Sequence, residues 1–423
     1  MHLSKLFPIS LCLLFSIKIF TGSAYAKEEL PDIADYHYQG ALKIIPETGY
    51  INVKWIINVN KKENSQIRFL IRKTLGNIKV TGDSLISHSI NQQEGMESFW
   101  AIDVSIANNS KNKSIHISYD GVLLPEPLSN KINSIKKDAV ELNVDSFWHP
   151  IDASFSKKLT IELDIDIAPN WLGVSSGEFR KTATGLKLTN YHPAIDIPFA
   201  ISNRFKITER DGYTLYDLRD TDDGVNELVS TVNFCKQYLD DNYGNKEKLP
   251  AAKFLITDRP SSGYARNSYI AFTDISVTKP TPLTKFVCHE LAHFWSNAGK
   301  FDTVENWLNE AFAEYAGTMA VRKRFGAETF NKLIQSYRKQ ISNEQLTAIW
   351  QQGDIQRKSY LVQYRKGPLA LEKLEKLIGN KQFDRFITQY MENRIATTPD
   401  LLKALEAIAG VKAKNHFVKI LSE

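Results

Sequence analysis

The chain has 423 residues, 43% of them apolar and 24% charged, with a formal charge of +5 at pH 7. That is the composition of an ordinary folded protein, and the length exceeds what one hydrophobic core usually serves, so two domains are the default expectation. Without Lys5 and Lys18, which leave if a leader is removed, the charge falls to +3, too weak a bias to select nucleic acid or an anionic membrane as partner.

In chain order, residues 1–26 read as a signal peptide. Lys5 precedes an apolar run over 6–17, and Ala24-Tyr25-Ala26 supplies a small-x-small cleavage site. The run is short for a bilayer span and Lys18 interrupts it, while no later segment is apolar enough to cross. Export to a periplasm or the exterior is therefore expected. Cys12 leaves with the leader, and it lacks the small preceding residue of a lipid anchor.

From about 36 to 205 the hydrophobic period is two. Ile51, Val53, Trp55, Ile57 and Val59 alternate with outward positions, as do Trp100, Ile102, Val104 and Ile106, and then Leu159, Ile161, Leu163, Ile165 and Ile167. Breaks at Asn108-Asn109-Ser110 and Pro125-Glu126-Pro127 separate the runs. The spacing predicts an N-terminal domain over 27–208 built as an antiparallel β-sandwich or saddle. Near Thr221 the period becomes helical: Val225, Leu228, Val229, Val232, Cys235 and Leu239 recur, with Thr221 or Asp222 as N-cap and Gly244 as stop. Short strands over 251–257 and 268–273 precede a helix opening after Pro282. Further helices are predicted at 327–341, 367–378, 381–393, 399–409 and 413–421. The fold class is thus α+β, with a mainly helical domain over 209–423 that carries a small sheet. Cys235 and Cys288 fall in predicted helices without framework spacing; a disulfide is open to them in an oxidising compartment, but two buried free thiols are the simpler expectation.

His289-Glu290-Leu291-Ala292-His293 carries the chemistry. On a helix, residues four apart lie one above the other, so both imidazoles can face one Zn²⁺ while Glu290 leans toward the open side. Glu310 follows with 16 residues between it and His293, enough for a turn and the start of a second helix that returns a carboxylate to the same metal. Three protein ligands leave one position for water, whose pKa falls to about 7 on zinc, and Glu290 is placed to take its proton. One Zn²⁺ per chain and a hydrolase acting on a peptide are therefore expected. The bland alternative is two ordinary histidines on an ordinary helix. Lys285, Glu290 and Asn297 keep that helix from being uniformly apolar, as suits a site entered from one side. Asn309 and Glu314 flank the third ligand, and either is a candidate to bond a ligand imidazole or an ordinary polar residue. His149, His192 and His416 lack partners at ligand spacing and read as structural or exposed.

Together, H-E-L-A-H-F-W at 289–295 and W-L-N-E-A-F-A-E-Y at 307–315 resemble the zinc signature of the aminopeptidase N family of gluzincins, though the gap between them is slightly shorter than usual there. The resemblance implies a thermolysin-like zincin domain with Glu310 as third ligand. Tyr364-Arg365-Lys366-Gly367, 54 residues beyond Glu310, resembles the family's Y-x-K-G, which implies that Tyr364 steadies the oxyanion; Tyr360 has a weaker claim to that role. Ser146-Phe147-Trp148-His149-Pro150 and the segments 171–178 and 199–207 resemble parts of the family's N-terminal saddle domain. The family's large C-terminal helical domain has no counterpart, so a less enclosed site is expected.

The departure lies at Gly263-Tyr264-Ala265-Arg266-Asn267, which stands where the family carries G-x-M-E-N along the substrate cleft. By resemblance Gly263, Tyr264, Ala265 and Arg266 contact substrate, the first three through backbone groups that pair with an extended peptide. The family's Glu there binds a peptide's α-amine; Arg266 would repel it and favour an acidic group, unless it points to solvent. Three functions follow: an aminopeptidase-like enzyme with altered N-terminus recognition, an endopeptidase or hydrolase that recognises an acidic group, and a non-catalytic zinc- or peptide-binding module. Intact Glu290 and Tyr364 argue against the last.

Overall fold

A computed structural model describes residues 34–60, 65–92, 95, 97–107, 113–123, 134–258 and 263–423. The expected signal peptide with Cys12 and the breaks at 108–110 and 125–127 lie outside the described residues.

The period-two runs are strands. The largest sheet has seven, in the order Glu178–Thr182, Gly185–Ala194, Leu159–Asp166, Tyr36–Ile45, Tyr50–Val59, Ser114–Val122 and Leu75–Thr81. Its pairings are antiparallel except between Tyr36–Ile45 and Leu159–Asp166, which run parallel. Val53, Trp55 and Ile57 bury one face, and the Trp55 indole lies over Gly40 on the neighbouring strand, where a Cβ would meet it at 2.2 Å. A four-stranded sheet, Ile151–Asp152, Gln66–Arg72, Phe99–Ile106 and Leu85–Gln92, contributes Phe69, Ile71, Ile102 and Val104 to the same core. This is the sandwich that alternation requires, since each strand has one apolar and one wet face. Trp148, from the S-F-W-H-P segment, is fully buried there, and its carbonyl accepts a 2.7 Å hydrogen bond from the Tyr119 hydroxyl.

A third sheet joins the two halves. It comprises Leu172–Ser175, Phe199–Ser202, Ala139–Leu142 and Ser134–Lys136. Because side chains alternate, Val140, Leu142, Phe199 and Ile201 enter the sandwich core, while Ala139, Val174 and Ala200 turn to Leu255, Tyr269 and Ala271 of the next sheet. That next sheet has five strands, Lys206–Arg210, Tyr213–Asp217, Ala252–Ile256, Tyr269–Phe272 and Tyr264–Arg266, the last at its edge. Phe254, Ile256, Ile270 and Phe272 face the helices, so its central strands are apolar on both sides.

The helices are α1 (Val225–Tyr243), α2 (Pro280–Ala292), α3 (Asn306–Ile341), α4 (Gly367–Ile378), α5 (Asn380–Glu392) and α6 (Thr398–Ser422). Four boundaries differ from the sequence expectation. Neither Thr221 nor Asp222 caps α1. Gly224 does, at φ 79°, where a Cβ would stand 2.4 Å from the Ile275 carbonyl. α2 begins at Pro280, whose fixed φ suits a first helical position. α3 starts at Asn306 and continues through 327–341 with non-helical angles only at Gly326, and Gly410 likewise joins 399–409 to 413–421 within α6. Among the described residues no helix is long and apolar enough to cross a membrane.

Cys235 and Cys288 are not free thiols. They form a disulfide that ties α1 to α2 with Cα atoms 5.1 Å apart. No framework spacing marks the pair, because the bond is set by how two helices pack. It closes a loop spanning 53 positions, which by chain entropy stabilises the fold by roughly 4 kcal/mol. Replacing both cysteines with alanine is expected to lower the urea midpoint accordingly; an unchanged midpoint would show that packing alone holds the pair of helices.

Candidate active site

α2 carries His289 and Glu290 in its last turn, and His293 follows as the residue that caps it. α3 carries Glu310 in its second turn. The two helices cross closely because of Gly317: a Cβ there would lie 2.6 Å from the Lys285 carbonyl and 3.3 Å from the His289 nitrogen. Every residue of Trp307-Leu308-Asn309-Glu310 has a separate task. Trp307 is buried and donates to the Thr398 hydroxyl at 2.8 Å, and Leu308 fills the core. Asn309 exchanges two hydrogen bonds with the backbone of Gly299, fixing the return loop from α2. Only Glu310 points at the histidines.

The Nε2 atoms of His289 and His293 are 3.2 Å apart, and Glu310 Oε2 lies 3.8 and 3.5 Å from them. A point equidistant from these three atoms is about 2 Å from each, the length of a Zn–N or Zn–O bond. Glu310 Oε2 is buried without a hydrogen-bond partner, which a polar atom tolerates only if something else occupies its lone pair. The donor set fits a metal. The Glu290 carboxylate also has an oxygen within 4.8 Å of both imidazoles.

Both imidazoles are held by their other nitrogen. His293 Nδ1 is 3.0 Å from the Ser296 carbonyl, and His289 Nδ1 is 3.0 Å from Glu314 Oε2. A carbonyl oxygen can only accept, so Nδ1 of His293 carries a proton and Nε2 is the nitrogen left to bind a metal. Of the two residues flanking the third ligand, Glu314 lies against the imidazole while Asn309 serves the loop. In the metal-free site, burial opposes a charged His293, but the carboxylates of Glu310 and Glu290 outweigh it and hold its pKa up to about 9. Burial likewise works against the Glu310 carboxylate, and His293 outweighs it, holding that group down to about 2. Glu314 is also depressed below the usual carboxylate range, burial being overcome by Lys285 and His289.

Tyr364 sits in a π-helical turn, Val362–Lys366, that runs into α4. Its ring stacks on that of His289 with centroids 5.7 Å apart, and the Glu310 carboxylate acts on its hydroxyl. Burial and that carboxylate push its pKa far up, so it is a donor at any working pH. Tyr360 is more than half exposed and stacks on the outer side of Tyr364, away from the histidines.

The edge strand Tyr264–Arg266 lies beside the metal helix. A Cβ on Gly263 would meet the Phe286 ring of α2 at 2.6 Å, so the glycine permits the approach. Ala265 is half-buried on the same strand, and the Tyr264 hydroxyl reaches Glu141 at 3.4 Å. The Arg266 side chain is 24% exposed; its Nε donates to Asp196 at 2.7 Å, and one terminal nitrogen donates to the Ala265 carbonyl at 2.8 Å. The Asp196 side chain is fully buried and also accepts from the Val144 nitrogen. Removing one partner of such a pair strands a buried charge, so Arg266→Ala is expected to destabilise the protein by about 3 kcal/mol in urea titration. A loss below about 0.5 kcal/mol, as for an ordinary surface substitution, would mean the pair is slack. His149 is buried with its pKa lowered to about 4 by burial, and His192 and His416 are exposed, so none joins the site.

Residues 263–421 match the Peptidase family M1 domain. The fold is similar to that of an M1 zinc metallopeptidase from Deinococcus radiodurans, solved with a Tyr-Ser-Ala substrate, at TM-score 0.62 and 15% identity over 92% of this chain and 94% of that one. It is similar also to leukotriene A4 hydrolase from Saccharomyces cerevisiae, at TM-score 0.66 and 17% identity over 91% of this chain and 66% of that one. At such identities these likenesses establish the fold. A comparison with curated proteins yields no match.

Proposed function

We propose, from the premise that residues 263–421 of this chain are a peptidase family M1 domain, that the protein is an exported zinc peptidase. His289, His293 and Glu310 would hold one Zn²⁺. When bound, zinc supplies Lewis acidity, which polarises a carbonyl and makes water a nucleophile near neutral pH. Glu290 takes the proton of the attacking water onto its carboxylate and delivers it to the leaving amine nitrogen. The Tyr364 hydroxyl donates to the carbonyl oxygen as that atom gains negative charge, a contribution of about 3 kcal/mol in comparable sites. Tyr264–Arg266, at the sheet edge beside α2, offers the line along which an extended peptide adds as a strand.

The observation that carries this reading is the triangle of two imidazole nitrogens and a buried, partnerless carboxylate oxygen, flanked by Glu290 and Tyr364. N-terminus recognition differs from the family's in this reading, because position 266 holds a guanidinium paired with Asp196 instead of a carboxylate that could capture an amine. An oxidising compartment accords with the Cys235–Cys288 disulfide. The test is a peptide library with free and acetylated N-termini, digested by the purified protein before and after chelation and zinc add-back. Cleavage that one equivalent of zinc restores is expected; cleavage indifferent to chelation sinks the reading.

A further inference from the structure

We propose that the Glu314 carboxylate is a shared anchor that positions His289 directly and Tyr364 through Arg365. Glu314 is buried on α3 one turn beyond Glu310. Its Oε2 lies 3.0 Å from His289 Nδ1. Its Oε1 accepts from Lys285 Nζ at 2.6 Å, from the Tyr337 hydroxyl at 2.5 Å and from Arg365 Nη1 at 3.1 Å. The same Arg365 nitrogen donates to the carbonyl oxygen of Tyr364 at 2.8 Å. Arg365 Nη2 donates to the Tyr360 hydroxyl at 3.0 Å, and Nε to Gln340 at 2.6 Å. Tyr360 in turn stacks on Tyr364 with centroids 4.6 Å apart, and Tyr364 stacks on His289.

Tyr364 is thus gripped at its backbone by Arg365 and at its ring between Tyr360 and His289. The grip matters because Tyr364 lies in a π-helical turn, where hydrogen bonding is poorer than in an α-helix and such turns recur at functional sites. A donor aimed at developing charge must be held within a fraction of an ångström, since a displacement of about 1 Å costs about 100-fold in rate. Glu314 meets three cationic or imidazole groups at once and fixes both halves of the site from one point on α3. The inference rests on reading His289 as a zinc ligand and Tyr364 as the oxyanion donor, and Glu314 and Arg365 are positioning residues within that reading.

Full-length protein decides the matter by kcat and KM on a cleaved peptide, zinc affinity by chelator competition, and the visible absorption of the Co²⁺-substituted form. Arg365→Gln is expected to lower kcat by about 10- to 100-fold while leaving KM and zinc affinity nearly unchanged, and Arg365→Lys to recover part of the loss. Because Arg365 acts through Tyr364, the double variant Tyr364→Phe/Arg365→Gln should be no slower than Tyr364→Phe alone. Glu314→Gln should weaken zinc by about 10- to 100-fold and alter the Co²⁺ absorption. Wild-type kcat in Arg365→Gln, additive losses in the double variant, or unaltered zinc affinity in Glu314→Gln each overturn the shared anchor. If Glu314→Gln does not fold, the Arg365 arms decide alone. A wild-type protein that takes up no zinc is a failure of the peptidase reading itself, visible before any variant is compared, and it overturns this inference as well.

Discussion

Glu290→Gln is expected to reduce turnover by on the order of 1,000-fold while the protein keeps its zinc. Glutamine preserves the shape and one acceptor of the side chain but cannot take up a proton, so only the transfer from water to leaving amine is lost. Metal retention follows from the geometry, because Glu310 Oε2 completes the triangle with the two Nε2 atoms at 3.5 and 3.8 Å. Peptide turnover and metal content measured on the same preparation separate base from ligand. Turnover within about tenfold of wild type, less than even a modest general base contributes, would mean that another group moves the proton.

Glu310→Ala is expected to leave the purified protein without stoichiometric zinc, a larger loss than the 10- to 100-fold that removal of a supporting hydrogen bond commonly causes. Two imidazoles remain 3.2 Å apart, and the third ligand is gone. The same pair gives zinc uptake a sign with pH. With its pKa near 9 in the metal-free protein, His293 is cationic at pH 7.5, so the metal must displace that proton. Affinity should therefore rise with pH up to about 9, with close to one proton released per zinc bound at pH 7.5, and level off above it. Titration calorimetry in buffers of different ionisation enthalpy reads that proton. Release near zero would show that His293 is neutral before the metal arrives, and stoichiometric zinc in Glu310→Ala would remove Glu310 from the ligand set.

Sequence and structure agree most where a physical rule is local. The period-two runs around Val53, Ile102 and Leu163 became strands because one face of each strand is apolar whatever its neighbours are. His289 and His293 converge because four residues make about one helical turn. Glu314, one turn beyond Glu310 on the same helix, followed the same rule, and Lys285, one turn before His289, carried that signal unread. Misreadings cluster where the deciding contact comes from far along the chain. The α1 cap passed to Gly224 because of the Ile275 carbonyl, and the cysteines joined because α1 and α2 pack side by side.

Arg266 shows the limit most clearly. Its neighbours along the chain suggested a guanidinium open to a substrate, yet its partner is Asp196, seventy positions away on the N-terminal half. Spacing on a helix and alternation on a strand are fixed by covalent geometry, so the strands and the convergence of His289 and His293 were legible in the sequence alone. Which charges are already spent on one another was decided only by tertiary packing, because an ion pair depends on distance in space and no periodicity encodes it.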